Sequence, residues 1–136
     1  MPGRDAFIEI LRKNGLMVHM RRRKHYRTTD SNHHYRKYPN LIKDVIPMRP
    51  NEIWVADITY VETEEGVCYL SLITDAYSHK IVGWAVGPTL ETIYPLQALQ
   101  MALEAIDDET AGRLIHHSDR GCQYCSDAYV AELKKH

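Results

Sequence analysis

The sequence predicts an α/β domain: a mixed sheet with flanking helices, preceded by a short helix and a basic linker. Three observations predict it. Residues 53–86 hold three runs rich in β-branched and aromatic residues, separated by short turn signals. A stretch with helical periodicity and a fourth short apolar run follow, so the last strand joins the sheet through a crossover. Residues 1–50 carry 12 Lys and Arg against 4 Asp and Glu, a net of +8, whereas residues 51–136 carry 5 against 14, a net of −9.

Residues 4–14 form the first expected helix. Phe7, Ile8 and Leu11 share a face, and Gly15 follows Arg12-Lys13-Asn14 as a C-terminal stop. Residues 20–40, MRRRKHYRTTDSNHHYRKYPN, have no apolar period and read as an extended basic linker. Pro39, Pro47 and Pro50 punctuate entry to the next domain. In IWVADITYV, residues 53–61, Ile53, Val55 and Val61 lie on one face, with Trp54, Ile58 and Tyr60 on the other. Apolar residues on both faces predict a central strand covered on both sides. Glu64–Gly66 is a turn, VCYLSLITDAY a second strand, Tyr77–His79 a turn and KIVGWAV a third strand. Short turns make these three an antiparallel meander. Trp54 and Trp84 are expected in the core.

Gly87 and Pro88 end the meander. Thr89 is the expected cap of a helix running to about Ile106, with Leu96, Leu99, Leu103 and Ile106 as its buried stripe. Pro95 is compatible with a position near the first turn, where backbone N–H groups need no intrahelical partner. DDETAG, residues 107–112, reads as a loop, and RLIHHS as a fourth strand. Ser126 is the expected cap of a last helix, DAYVAELKK.

Apolar residues make up 44% of the chain, enough for a small core. No stretch approaches the roughly 20 apolar residues of a membrane span. The N-terminus has charges inside its apolar run, unlike a signal peptide. Three cysteines, an odd number without secretory context, argue for a reducing compartment and free thiols. The basic arm suggests a polyanion partner, the alternative being a solvated charged tail. Its candidate nucleic-acid contacts are Arg21, Arg22, Arg23, Lys24, Arg27, Arg36 and Lys37, with Tyr26 among them. Such side chains neutralise phosphate without reading sequence, so binding should be salt-sensitive. His25, His33 and His34 would add charge only at lower pH.

The chemistry concentrates in LIHHSDRGCQYC, residues 114–125, where two ligand sets compete. His116, His117, Cys122 and Cys125 are the right types for zinc, with Cys68 as an additional ligand. Their spacing is poor, because adjacent residues on a strand point to opposite faces. A redox Cys-x-x-Cys before the last helix is a further alternative, and two inert loop cysteines the plain one. The other set is Asp119 with Asp57. A carboxylate in a central strand is costly to bury unless paired or bound to a cation, the alternative being a hydrogen-bonded turn or edge residue. If strand four lies beside strand one, the two carboxylates converge across 62 positions (119 − 57). Convergent carboxylates fit Mg²⁺, which takes oxygen ligands and keeps waters for a phosphate substrate. His117 and Ser118 are expected to orient the metal or phosphate beside Asp119. Asp75, at the end of strand two, is a conceivable third carboxylate near the site, but its hairpin-turn position is the better account.

RPNEIWVADITYVET, YLSLITDAYSHKIVGWAV and LIHHSDRGCQY closely resemble the Asp-Asp-Glu transposases of bacterial insertion sequences with a retroviral-integrase-like core. LRKNGLMVHMRRRKHYRTTDS resembles the end of the helix-turn-helix region that precedes that core. The resemblance covers nearly the whole chain. It implies a ribonuclease H-like fold, with the first catalytic aspartate at Asp57 and the second at Asp119. It implies Mg²⁺ or Mn²⁺ as cofactor and metal-dependent DNA strand cleavage and transfer as the activity, hence DNA integration, recombination and transposition. The implied partners are DNA, both insertion-sequence ends and target, and a second copy or an intact transposase, with no membrane and a DNA-associated place in bacterial cytoplasm. The chain then divides into residues 1–19, a remnant of the helix-turn-helix region, residues 20–50, the basic linker, and residues 51–136, the N-terminal portion of the catalytic core. The family's third carboxylate is a glutamate on a later helix. Only 17 residues follow Asp119 (136 − 119), and Glu132 comes too early for that role. The expectation is a transposase fragment, incomplete at both ends and lacking the last strand and the glutamate helix, inactive as it stands. A non-catalytic DNA-binding remnant that inhibits an intact transposase is the alternative, and a small zinc-binding module the third.

Overall fold

The computed structural model describes residues 3–16 and 32–136. Helix α1 (Arg4–Lys13) ends where the sequence predicts, because Gly15 adopts a left-handed φ of 67° and the Leu16 N–H closes back on the Leu11 carbonyl at 2.9 Å. Residues 32–50 hold bends and turns but no helix or strand.

Strands β1 (Ile53–Thr63), β2 (Gly66–Asp75) and β3 (Ile81–Gly87) form the expected meander, and β4 (Ile115–Ser118) joins as a fourth strand. The sheet order is β3-β2-β1-β4, with β1–β2 and β2–β3 antiparallel and β1–β4 parallel. Tight turns allow only antiparallel neighbours, so the parallel partner arrives through the long crossover. That crossover contains α2 (Ile93–Leu103) and α3 (Asp108–Ala111). The second of these replaces the expected loop at DDETAG. Asp107 supplies the reason, since its side chain accepts the Thr110 N–H at 2.7 Å and caps one helical turn.

Helix α2 begins later than a cap at Thr89 requires. Thr92 stands at its N-terminal boundary, which puts Pro95 in the first turn. Its buried face also differs from the leucine stripe. Pro95, Ala98, Leu99 and Ala102 are buried, while Leu96, Leu103 and Ile106 are half-buried at its flanks. The cause is close approach to β3: a Cβ on Gly83 would lie 2.0 Å from the Ala98 carbonyl oxygen. Small residues must therefore face the sheet.

The core lies between the sheet and these helices, with Trp54, Ala56, Ile58, Ile73 and Ala85 meeting Leu99 and Tyr129. Trp54 is fully buried as expected, and its indole N–H donates to Asn51 Oδ1 at 3.1 Å. A single turn, α4 (Cys122–Cys125), stands where a loop was expected, and α5 (Asp127–Leu133) follows. Ser126 caps α5 as predicted, accepting the Tyr129 N–H at 3.3 Å.

Among the described residues the sheet is covered on one face, not both. Trp54, Ala56 and Ile58 turn toward the core, so alternation sends Val55, Asp57, Thr59 and Val61 to the open face. Cross-strand register sets Asp57 beside Leu72, and Leu72 beside Trp84. Trp84 is 53% exposed and is not a core residue. Gly83 and Ala85 pack inward, so the residue between them must point away.

Candidate functional site

The parallel ladder between β1 and β4 runs from Ile53 opposite Ile115 to Ala56 opposite Ser118. The next residue along each strand is Asp57 and Asp119. Strands one and four are therefore neighbours, as the sequence reading required, and each aspartate directly follows the last residue paired between them. Asp57 is exposed, so the burial cost expected for a central-strand carboxylate does not arise. Its Oδ1 accepts the Ile58 N–H at 2.9 Å. Asp119 is also exposed, just beyond β4, and its Oδ1 accepts the Gly121 N–H at 2.9 Å. The Ser118 hydroxyl donates to the Asp119 backbone carbonyl at 3.1 Å, so it steadies the loop rather than the carboxylate. His117 pairs with Val55 in register and so shares the open face with Asp57.

His116 turns the other way. Its Nε2 lies 3.0 Å from the Tyr129 hydroxyl, and burial, with a smaller contribution from His117, lowers its pKa to about 4. It is a neutral wall residue. The Cys125 thiol is pushed up by burial and then by the Asp119 charge, which disfavours a thiolate ligand. All three cysteines are free, and no group of three or more His, Cys, Asp and Glu is placed to hold a metal among the described residues. The zinc alternative thus has no geometric support among the described residues. Asp57 and Asp119 are both exposed and are of the ligand type that a hard divalent cation takes.

The chain before the domain passes over this site. His33 Nε2 lies 2.9 Å from the Arg120 carbonyl oxygen. Tyr38, Pro39, Asn40 and Leu41 form one wall of a cavity of about 390 Å³, and Ser118, Asp119, Arg120 and Tyr124 contribute to the other walls. Arg36 and Lys37 are exposed here, with the Arg36 guanidinium 5.2 Å from the centre of the Tyr38 ring. Arg21, Arg22, Arg23, Lys24 and Arg27 lie outside the described residues.

Two residues of α4 escape sequence reasoning. Gln123 is buried and donates its amide to the Leu90 carbonyl at 3.0 Å, tying α4 to the crossover. Tyr124 is 6% exposed, and its hydroxyl has no hydrogen-bond partner among the described residues. Its pKa is raised first by burial, then by Tyr129, Asp57 and Asp119, so both carboxylates act on the same phenol. Nothing in the sequence distinguishes it from an ordinary core tyrosine.

Asp75 is a contrasting case. Its carboxylate accepts the Asn51 N–H at 2.9 Å, the Ser78 N–H at 2.9 Å and the Ser78 hydroxyl. Burial alone would raise its pKa, and these hydrogen bonds outweigh that and lower it. This is the turn role the sequence predicted.

A family profile for the integrase core domain matches residues 47–136. The chain belongs to that family. It is 43% identical, over 128 residues, to a 31 kDa protein of insertion element IS600 from Shigella sonnei, covering 93% of this chain and 46% of the relative. It is 40% identical to the transposase for insertion sequence element IS629 of the same organism, covering 84% and 38%. It is 41% identical to transposase InsF for insertion sequence IS3A of Escherichia coli K12, covering 71% and 33%. The chain thus spans less than half the length of each of these relatives. Among solved structures it resembles the HTLV-2 integrase catalytic core domain in complex with magnesium, with a TM-score of 0.53 and 16% identity, over 65% of this chain and 56% of that one. The integrase core fold, ribonuclease H-like as the motifs implied, is therefore shown. No helix among the described residues is long and apolar enough to cross a membrane.

Proposed function

We propose that this chain carries part of the DNA strand-transfer core of an insertion-sequence transposase, with Asp57 and Asp119 as ligands of Mg²⁺ or Mn²⁺. The observation that supports this reading is the β1–β4 register, whose last pair, Ala56 opposite Ser118, immediately precedes the exposed Asp57 and Asp119. A divalent cation bound there would stabilise charge on a phosphoryl group undergoing in-line displacement. The chain's own residues prepare that place. Gly121 orients Asp119 through its N–H, the Ile58 N–H orients Asp57, and His117 stands on the same face. Arg21, Arg22, Arg23, Lys24, Arg27, Arg36 and Lys37 hold the DNA backbone by charge. Residues 1–19, 20–50 and 51–136 act in this reading as helix-turn-helix remnant, basic linker and catalytic portion, on insertion-sequence ends and target DNA.

Cation binding and DNA binding test it separately. Mn²⁺ titrated into the chain should bind, and Asp57→Asn or Asp119→Asn should each weaken that binding at least tenfold. Duplex DNA should bind with an affinity that falls steeply with salt, and the joint change of Arg21, Arg22 and Arg23 to Ala should weaken it alike for all sequences. Cation binding indifferent to both aspartates would overturn the site assignment, and salt-independent DNA binding would overturn the role of the arm. One observation favours a second reading, a DNA-binding chain that pairs with an intact transposase without catalysis: no third carboxylate joins the pair among the described residues. Strand transfer on a labelled insertion-sequence end separates the two, with no product from the 136-residue chain expected under the second.

A further inference from the structure

Among the described residues the buried Tyr124 hydroxyl has no hydrogen-bond partner, and Tyr124 lines a cavity together with Asp119. A buried donor without an acceptor is costly, and native structures rarely keep one without a reason. Three features bear on the reason here. Tyr124 forms part of the wall of the cavity that Ser118 and Asp119 also line. It belongs to the same turn as the Asp119 clamp: Gly121 holds the Asp119 carboxylate through its N–H, and the Gly121 carbonyl accepts the Cys125 N–H at 3.1 Å. Asp119 and Tyr124 are thereby held in fixed relation. The ring itself is locked edge-on against Tyr129, at 5.3 Å between centres and 85° between planes.

We propose that Tyr124 is a positioning residue of the Asp57–Asp119 pair, donating its phenolic O–H to one of these carboxylates when a divalent cation draws them together. The inference rests on the cation-site reading above. Burial of the hydroxyl argues against direct contact with a DNA phosphate, which would have to reach it from solvent. Asp119, by contrast, lines the same cavity and is tied to the Tyr124 turn through Gly121. A phenol carries its proton at neutral pH, so it acts as a donor toward a carboxylate. Residues that hydrogen-bond metal ligands from behind set the ligands' orientation and with it the affinity of the site.

Tyr124→Phe keeps the ring and its packing and removes only the oxygen. The variant should unfold at a temperature equal to or above that of the unaltered chain without cation, because it loses an unsatisfied polar group. Its affinity for Mn²⁺, measured by calorimetric titration, should fall by about ten- to a hundredfold. In the unaltered chain Mn²⁺ should also change tyrosine ultraviolet absorbance, and Asp57→Asn should abolish that change. The absorbance arm needs no tyrosine variant and therefore stands even if Tyr124→Phe folds poorly. Equal Mn²⁺ affinity in Tyr124→Phe, with binding still dependent on Asp57 and Asp119, would overturn the role of Tyr124 and leave the cation site standing. Failure of the unaltered chain to bind Mn²⁺ through the two aspartates would overturn both.

Discussion

Asp75 and Asp57 stand on adjacent strands, yet their surroundings differ in kind. Asp75, opposite Trp54 at the hairpin end of β2, is 1% exposed and accepts three hydrogen bonds. Asn51 makes this possible: at a left-handed φ of 59° it donates its N–H to Asp75 and accepts the Trp54 indole N–H on its side chain. Asp57, at the β1–β4 seam, is exposed and accepts a backbone N–H from its own neighbour. The difference teaches that a carboxylate's role is decided by the donors folded around it. Where protein donors fill its lone pairs, the carboxylate is structural. Where it stands in the open, as Asp57 does, a cation is the proposed partner in place of protein donors.

Substitution breaks the comparison most sharply. Asp75→Ala leaves the Asn51 and Ser78 donors without an acceptor and should destabilise the fold by about 2–4 kcal/mol in urea unfolding. Asp57→Asn should stay within about 0.5 kcal/mol by the same measurement, because an exposed strand position carries little stability. Equal losses at the two positions would show that Asp57 is structural as well.

Titration sharpens it next. His116 has a folded pKa of about 4 against 6.5 for the free side chain. Between those values the unfolded chain binds more protons than the folded one, so stability falls as pH drops from 6.5 to about 4. The loss should reach up to about 3 kcal/mol and should largely disappear in His116→Gln. Asp75 works lower on the scale. Its folded pKa lies below 3.8, so its stabilisation is present above 3.8 and is lost as pH falls through the folded value. Unfolding midpoints recorded from pH 7 to pH 2 resolve the two windows, and a flat profile from 6.5 to 4 would contradict the placement of His116 against Tyr129.

The smallest effects compare the two faces of one strand. Gly83→Ala drives a methyl group into the Ala98 carbonyl and should cost about 1–3 kcal/mol. Trp84→Thr, one residue along on the open face, should change stability by about 0.5 kcal/mol or less. A large loss at Trp84, measured by thermal unfolding, would mean that the open face is covered in solution.

Much of this was legible from neighbours in sequence. The meander follows from β-branched runs and short turns, and the cap at Ser126 from a side-chain oxygen beside a helical run. Pro95 was tolerable only near a helix start, and the structure begins α2 just before it. Asp57 and Asp119 were singled out because a carboxylate inside an apolar strand and another just past a second strand are anomalies under the hydrophobic pattern. Trp84 was misplaced because β3 is apolar on both faces, and alternation says which residues share a face but not which face is covered. Tyr124 was missed because an unpartnered phenol has no sequence signature.

By itself, then, the sequence determined the elements, their order, the antiparallel meander and the two carboxylates worth watching, since period, turns and caps act over a few residues. Only the tertiary structure decided which face α2 covers, how β4 aligns with β1, which of His116 and His117 turns toward Tyr129, and that Tyr124 lines a cavity with Asp119. These outcomes depend on contacts between residues far apart in the chain, such as Gly83 meeting Ala98, where close packing selects one arrangement that local pattern leaves open.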